Sequence, residues 1–233
     1  MAGADIAPSR RETTKVAAID DHPIIIRGLQ AFLSGSGDGI VLESISPTVD
    51  VYLAGDLADI EVVLLDVHLG DGSSVDDNVT RLRASGAQVL LYTSEHRPAV
   101  VQRAFNAGAL GLVLKEDPEE RLIDGIRAVA NHRMYDSSRL AHQILHDPRG
   151  AVHFTPTELT VLRHLSAGLP WATIARRMGR SINTVYEHRD RAIRKWQDAT
   201  LRPVAGPKDL LAQATSMGHV HPTPIYEPPH HTA

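Results

Sequence analysis

Three carboxylates, a hydroxyl pair and a lysine stand at the ends of short apolar runs in this chain. Asp20 and Asp21 follow Val16-Ala17-Ala18-Ile19, Asp66 follows Val62-Val63-Leu64-Leu65, Thr93 and Ser94 follow Val89-Leu90-Leu91-Tyr92, and Lys115 follows Gly111-Leu112-Val113-Leu114. Taken singly, an acid after a strand is an ordinary turn residue and a terminal lysine is ordinarily solvated. Taken together, carboxylates brought to one place repel one another and invite a cation, while an ammonium favours their ionised form. The ordered set of acid pair, acid, hydroxyl and lysine is hard to obtain by chance in one domain.

The elements that must carry these residues can be read from the same runs. Four consecutive apolar, partly β-branched residues mark a strand buried on both faces, as in a parallel sheet with helices on either side. In such sheets reacting groups gather beyond the carboxyl ends of the strands, where Asp66 stands. Ile40-Val41-Leu42 supplies a further strand. Helices are expected from Pro23 to about Leu33, over Val49 to Leu53, from about Asp76 to Ser85, from Pro98 to Asn106, and from Pro118 through Ala130. Five strands alternating with five helices make a doubly wound α/β sheet.

At these residues the chain strongly resembles the receiver domain of bacterial response regulators, over about residues 14–132. The resemblance implies that Asp66 accepts a phosphoryl group from a sensor histidine kinase. It further implies that Asp21, Asp66 and the backbone carbonyl of His68 coordinate Mg²⁺, with Asp20 assisting through water. Lys115 would pair with the phosphoryl oxygens and Thr93 would move to hydrogen-bond them. Such a division of labour suits phosphoryl transfer, which is mostly positioning and charge neutralisation. Two residues depart from the family pattern. Gly70 stands where proline is usual, which leaves the loop after Asp66 less rigid. Leu112 replaces the aromatic that swings inward when the threonine moves, so the relay from the site is altered. The resemblance also puts His68 and Glu95 at the two positions that in this family modulate how fast the phosphoryl group is lost.

Composition bounds the alternatives. The chain has 233 residues, 42% of them hydrophobic, and no cysteine, which excludes disulfides, thiolate catalysis and cysteine zinc sites. No run of 18 apolar residues exists, and Asp5, Arg10, Arg11, Glu12 and Lys15 interrupt the amino terminus, so neither a membrane span nor a signal peptide is expected and a cytoplasmic protein is. The net charge of -4 hides an asymmetry: residues 1–135 hold 12 Lys+Arg against 20 Asp+Glu, net -8, and residues 153–214 hold 10 against 5, net +5. An acidic first domain and a basic second one place any polyanion, such as DNA, on the second.

That second domain opens at Thr155-Pro156-Thr157-Glu158, a capping threonine with proline at the first helical position and glutamate three residues on. One helix runs through Leu159, Leu162 and Leu165 to Gly168, a second from Pro170 to Gly179, and a third from Ser181 to about Gln197. A tight glycine turn before the third makes a helix-turn-helix. Thr155-Pro156-x-Glu158, Gly168, Ile174-Ala175, Met178-Gly179, Ser181, Thr184-Val185 and His188 resemble the LuxR-type DNA-binding domain of NarL/FixJ-class response regulators. Val185, Ala192 and Trp196 should face the core. By resemblance, Tyr186, Glu187 and Asp190 reach base edges of double-stranded DNA, and Thr184, Arg191, Arg194 and Lys195 hold phosphates. On a solvated helix Glu187 and Asp190 would instead simply pair with Arg191 and Arg194. A fourth helix near Asp209-Leu210-Leu211-Ala212 would support a homodimer on DNA.

The organisation expected is therefore a flexible amino terminus (1–13), a receiver domain (14–132), a linker (133–152), a LuxR-type domain (153–214) and a disordered Pro- and His-containing tail (215–233). The function expected is a DNA-binding transcriptional regulator controlled by phosphorylation, not an enzyme. The rivals are a DNA-binding regulator whose receiver works without phosphorylation, and an aspartate-nucleophile phosphatase, which usually has a second aspartate where this chain has His68. A third is an interaction module whose acidic recognition helix no longer reads DNA.

Overall fold

The computed structural model describes residues 13–55 and 59–221. The flexible segment expected before Thr13 and the tail expected beyond His221 lie outside the described residues. The described chain divides into two compact units, the first built on the sheet and the second all helical.

In the first unit β1 (Thr14–Ile19), β2 (Ile40–Ser46), β3 (Val62–Leu65), β4 (Gln88–Thr93) and β5 (Gly111–Leu114) alternate with α1 (Pro23–Ser36), α2 (Val49–Leu53), α3 (Val75–Ala84), α4 (Pro98–Asn106, of which residues 98–102 group with the second unit) and α5 (Glu120–Ala130). All strand pairs are parallel, and the order is β2-β1-β3-β4-β5 followed by a sixth strand, β6 (Tyr135–Asp136). The expected sheet thus gains one strand inside what the sequence suggested was linker. Tyr135 N–H and Ser137 N–H donate to the carbonyls of Leu110 and Leu112, which pairs the chain to β5 for two residues. So short a strand shows no periodicity. The same segment holds another short helix, α6 (Arg139–Leu145).

Register decides where chemistry can occur. Ile19 lies opposite Leu65, Leu65 opposite Leu91 and Thr93 opposite Leu114, so the strand ends finish in line. The ladder continues past them, with Asp66 N–H on Ile19 O (2.9 Å) and Lys115 N–H on Thr93 O (2.9 Å). The chain changes winding direction at β1, flanked by β2 and β3, and this leaves the crevice where ligands of such sheets bind. Val16, Val62, Leu64, Leu90 and Val113 meet Ile26, Leu29, Leu33, Ile123, Ile126 and Val129 in a core that holds the edge rigid.

The second unit contains α7 (Pro156–Ser166), α8 (Trp171–Arg177), α9 (Ile182–Thr200) and α10 (Pro207–Ser216). The capping box closes as its spacing demands: Glu158 N–H donates to Thr155 Oγ1 (3.3 Å), and Thr155 N–H donates to Glu158 Oε2 (2.7 Å). Gly179, at φ +60°, makes the left-handed step between α8 and α9. Val161, Ile174, Ala175 and Val185 bury the junction of α7, α8 and α9. A second cluster forms around Trp196, which is fully buried, stacks on Phe154 (centroids 6.3 Å apart) and donates from Nε1 to Gln213 Oε1 on α10 (3.1 Å). Val220 is fully buried in this cluster. The expected disordered tail therefore starts too early at 215, because α10 runs to Ser216 and the chain as far as Val220 packs.

Candidate functional site

The aligned strand ends bring together the residues singled out in the sequence. Asp20 and Asp66 are buried, and Thr93 is wholly inaccessible. Thr93 Oγ1 donates to Asp66 Oδ1 (2.8 Å), and Lys115 Nζ donates to Asp66 Oδ2 (2.7 Å) while lying 2.7 Å from Asp20 Oδ2. Burial pulls the Lys115 pKa down, but its hydrogen bonds to Asp20 and Asp66 outweigh that and hold it above the ordinary lysine value. The ammonium is fixed before any anion arrives.

Asp21 faces a different set of donors. Its Oδ2 accepts from Gly70 N–H (2.8 Å), while its Oδ1 is buried and receives no hydrogen bond. A Cβ on residue 70 would stand 2.8 Å from that same Oδ2. A larger residue there would thus force the Asp21 carboxylate to shift, and proline would also remove the donor. The loop is tied to Asp21 where the sequence suggested only reduced rigidity.

His22, which the sequence marks only as an extended residue before Pro23, is a site residue as well. It does cap α1 in an extended conformation, but its ring enters the acid cluster, with Nδ1 3.0 Å from both Asp20 Oδ1 and Asp21 Oδ1 and 3.8 Å from Asp66 Oδ2. The signal available was its place directly after two strand-end acids. Asp20, Asp21, His22 and Asp66 each offer a ligand atom within 4.8 Å of the others. The unsatisfied buried Asp21 Oδ1 and this oxygen-rich set fit a hard divalent cation such as Mg²⁺. At the mouth, His68 N–H donates to Asp66 Oδ1 (3.3 Å) and His68 Nε2 meets Glu95 Oε2 at 2.5 Å, which joins the β3 and β4 loops.

On α9, Ser181 caps the helix by accepting from Thr184 N–H (3.1 Å), and its hydroxyl also meets Thr184 Oγ1 (2.9 Å). Val185, Ala192 and Trp196 are buried, which leaves Glu187, Arg191 and Arg194 exposed and Tyr186 and Asp190 partly so. Asp190 does pair with an arginine, but with Arg189 (Nε to Oδ1, 2.7 Å) and not Arg194. Arg191 Nη2 meets His188 Nδ1 (2.7 Å). Lys195 turns away from the group, donating to Glu158 Oε2 (2.7 Å) and to His153 O (3.2 Å).

A sheet with an acid crevice followed by a helix-turn-helix defines a class, the two-domain response regulators. The response regulator receiver domain family matches residues 16–127, and the bacterial regulatory proteins of the luxR family match residues 152–199. The chain belongs to the NarL/FixJ class of response regulators, a family of DNA-binding transcriptional regulators. Its relatives include the nitrate/nitrite response regulator protein NarP of Escherichia coli, 32% identical over 78% of this chain and 87% of that protein. NarL of the same organism is 28% identical over 80% of this chain and 91% of its own length. In fold the chain is similar to RcsB from Salmonella enterica serovar Typhimurium, solved bound to a promoter in the presence of phosphomimetic BeF3- (TM-score 0.64, 19% identity, 88% of this chain and 99% of that one). No helix among the described residues is long and apolar enough to cross a membrane.

Proposed function

We propose that Asp66 is the phosphoryl acceptor of this regulator, loaded by a sensor histidine kinase, and that its phosphorylation controls binding of a homodimer to paired DNA half-sites in the cytoplasm. The observation that carries the reading is the double hold on one buried carboxylate, by Thr93 at Oδ1 and Lys115 at Oδ2. Asp66 attacks phosphorus as the P–N bond of the kinase phosphohistidine breaks, the leaving electron pair going to the imidazole nitrogen. Lys115 neutralises charge on the arriving oxygens, and the Thr93 hydroxyl, released from Asp66, donates to them. Asp21, Asp66 and the His68 carbonyl would hold Mg²⁺, with Asp20 beside it. When bound, the ion neutralises negative charge on the transferred group. His68 stands where an aspartate-nucleophile phosphatase usually keeps its second aspartate, which favours the regulator reading over the phosphatase one.

Under the same reading Tyr186, Glu187 and Asp190 face bases, and Thr184, Arg191 and Arg194 face phosphates. The test is labelling with acetyl phosphate and Mg²⁺. Wild type takes up one phosphoryl group and Asp66→Asn takes up none; full labelling of the variant at another residue would overturn the assignment.

A further inference from the structure

The recognition helix carries two acids, Glu187 and Asp190, on a surface meant for a polyanion. An acid near phosphates weakens binding unless its charge is answered. Arg189 answers Asp190, and it is held in place while doing so. Its Cζ lies 4.6 Å from the centroid of the Tyr186 ring and 5.4 Å from that of Trp171. Those two rings meet edge to face, 5.2 Å apart at 73°, joining the first residue of α8 to the first half of α9. The Arg189 side chain is 24% exposed and the Asp190 carboxylate 46%, so the pair lies at the helix surface with the guanidinium on the inner side. Guanidinium can stack on aromatic faces and bond a carboxylate at the same time, which lysine cannot do.

We propose that Arg189 is a positioning residue for DNA recognition, clamped on Trp171 and Tyr186 so as to fix the Tyr186 ring and the Asp190 carboxylate in the directions from which they meet base edges. This rests on the reading of α9 as the recognition helix. Arg189 acts through its neighbours and does not itself reach a phosphate. Two consequences follow, and the second distinguishes it from an ordinary cationic contact. Losing Arg189 frees the Asp190 charge, so binding falls on every sequence. Neutralising Asp190 in that background restores general binding but not discrimination, since Tyr186 stays unclamped.

The experiment uses the full chain and two duplexes: one selected from random sequence by the wild-type protein, and a scramble of it. Affinity for both is titrated over a range of salt, and melting is followed for every variant. Arg189→Ala is expected to bind both duplexes more weakly and to lower the selected-to-scrambled affinity ratio about tenfold, the loss of one well-placed base contact. Arg189→Ala with Asp190→Asn recovers binding to the scramble while the ratio stays low. Arg189→Lys keeps the salt slope of wild type and loses most of the ratio, and it tests the proposal if the alanine variant fails to fold. An unchanged ratio in Arg189→Lys, or a ratio restored together with binding in Arg189→Ala with Asp190→Asn, overturns it, the latter by showing that Arg189 acts through its charge alone. Failure of the wild type to select any sequence overturns the recognition-helix reading itself.

Discussion

Gly70 N–H donates a 2.8 Å hydrogen bond to Asp21 Oδ2, and no larger residue fits its place without moving that carboxylate. Gly70→Pro therefore brings the chain closer to the usual family pattern and at the same time damages this site. A hydrogen bond to a charged acceptor is worth about 1.5–3 kcal/mol, so Mg²⁺ affinity measured by calorimetry should fall about tenfold or more. Gly70→Ala keeps the donor and should fall less. An affinity unchanged by proline would sever Gly70 from Asp21.

Lys115 Nζ lies 2.7 Å from a carboxylate oxygen of both Asp20 and Asp66, with its own side chain 9% exposed. Lys115→Met leaves two buried carboxylates without their cation. Breaking a buried pair from one side costs about 3 kcal/mol, seen in urea unfolding by circular dichroism at neutral pH, with part of the loss recovered by Mg²⁺. Stability equal to wild type would contradict this.

Thr93→Val removes the hydroxyl that donates to Asp66 Oδ1 and accepts from Glu95 N–H. Acetyl-phosphate labelling of Asp66 should persist, whereas the gain in DNA affinity on phosphorylation is lost. Leu112, fully buried on β5, provides no aromatic to take over the relay. Retention of the full gain in the valine variant would show that the signal leaves Asp66 by another route.

Glu158 gives the helical unit an acid-sensitive point. Burial opposes its ionisation, but hydrogen bonds from Lys195 and from Thr155 N–H outweigh this and lower its pKa below the ordinary 4.5. Because the folded value is depressed, the stabilisation is complete above 4.5 and is lost as pH falls through the folded value. Glu158→Gln should cost about 1–3 kcal/mol at neutral pH and flatten the acid limb of unfolding. An acid limb as steep as wild type would place the titration elsewhere.

The same pair separates two cations that the sequence treats alike. Arg194 is exposed on α9, so Arg194→Ala should reduce the slope of log affinity against log salt by about one. Lys195→Ala, having lost a partner in Glu158, should leave the slope unchanged and lower stability instead. Equal slopes for both variants would refute the distinction.

These contrasts show what could be read in advance. Val62 to Leu65 and Val89 to Tyr92 are runs long enough, and buried enough, to announce strands, and the positions of Asp66 and Thr93 after them follow from register. β6 is two residues long and obtains its place from β5, so nothing local marks it. Thr155 and Glu158 announce their capping box, but Lys195 reaches Glu158 from 37 residues away, and nothing local separates it from the neighbouring Arg194. Arg189 lies four residues after Val185, beside the buried stripe, and its importance depends on Trp171 in another helix. Val220 follows a stretch too short and too polar to show that it belongs to the Trp196 core.

The chain holds two tryptophans, one in the Arg189 clamp and one sealed beside Phe154, and both belong to the helical unit. The unit that contains Asp66 is thus dark in tryptophan emission. A change in tryptophan emission on treatment with acetyl phosphate is therefore already a signal received by the helical unit, read without a label, and its wavelength tells which of two environments, clamp or core, received it.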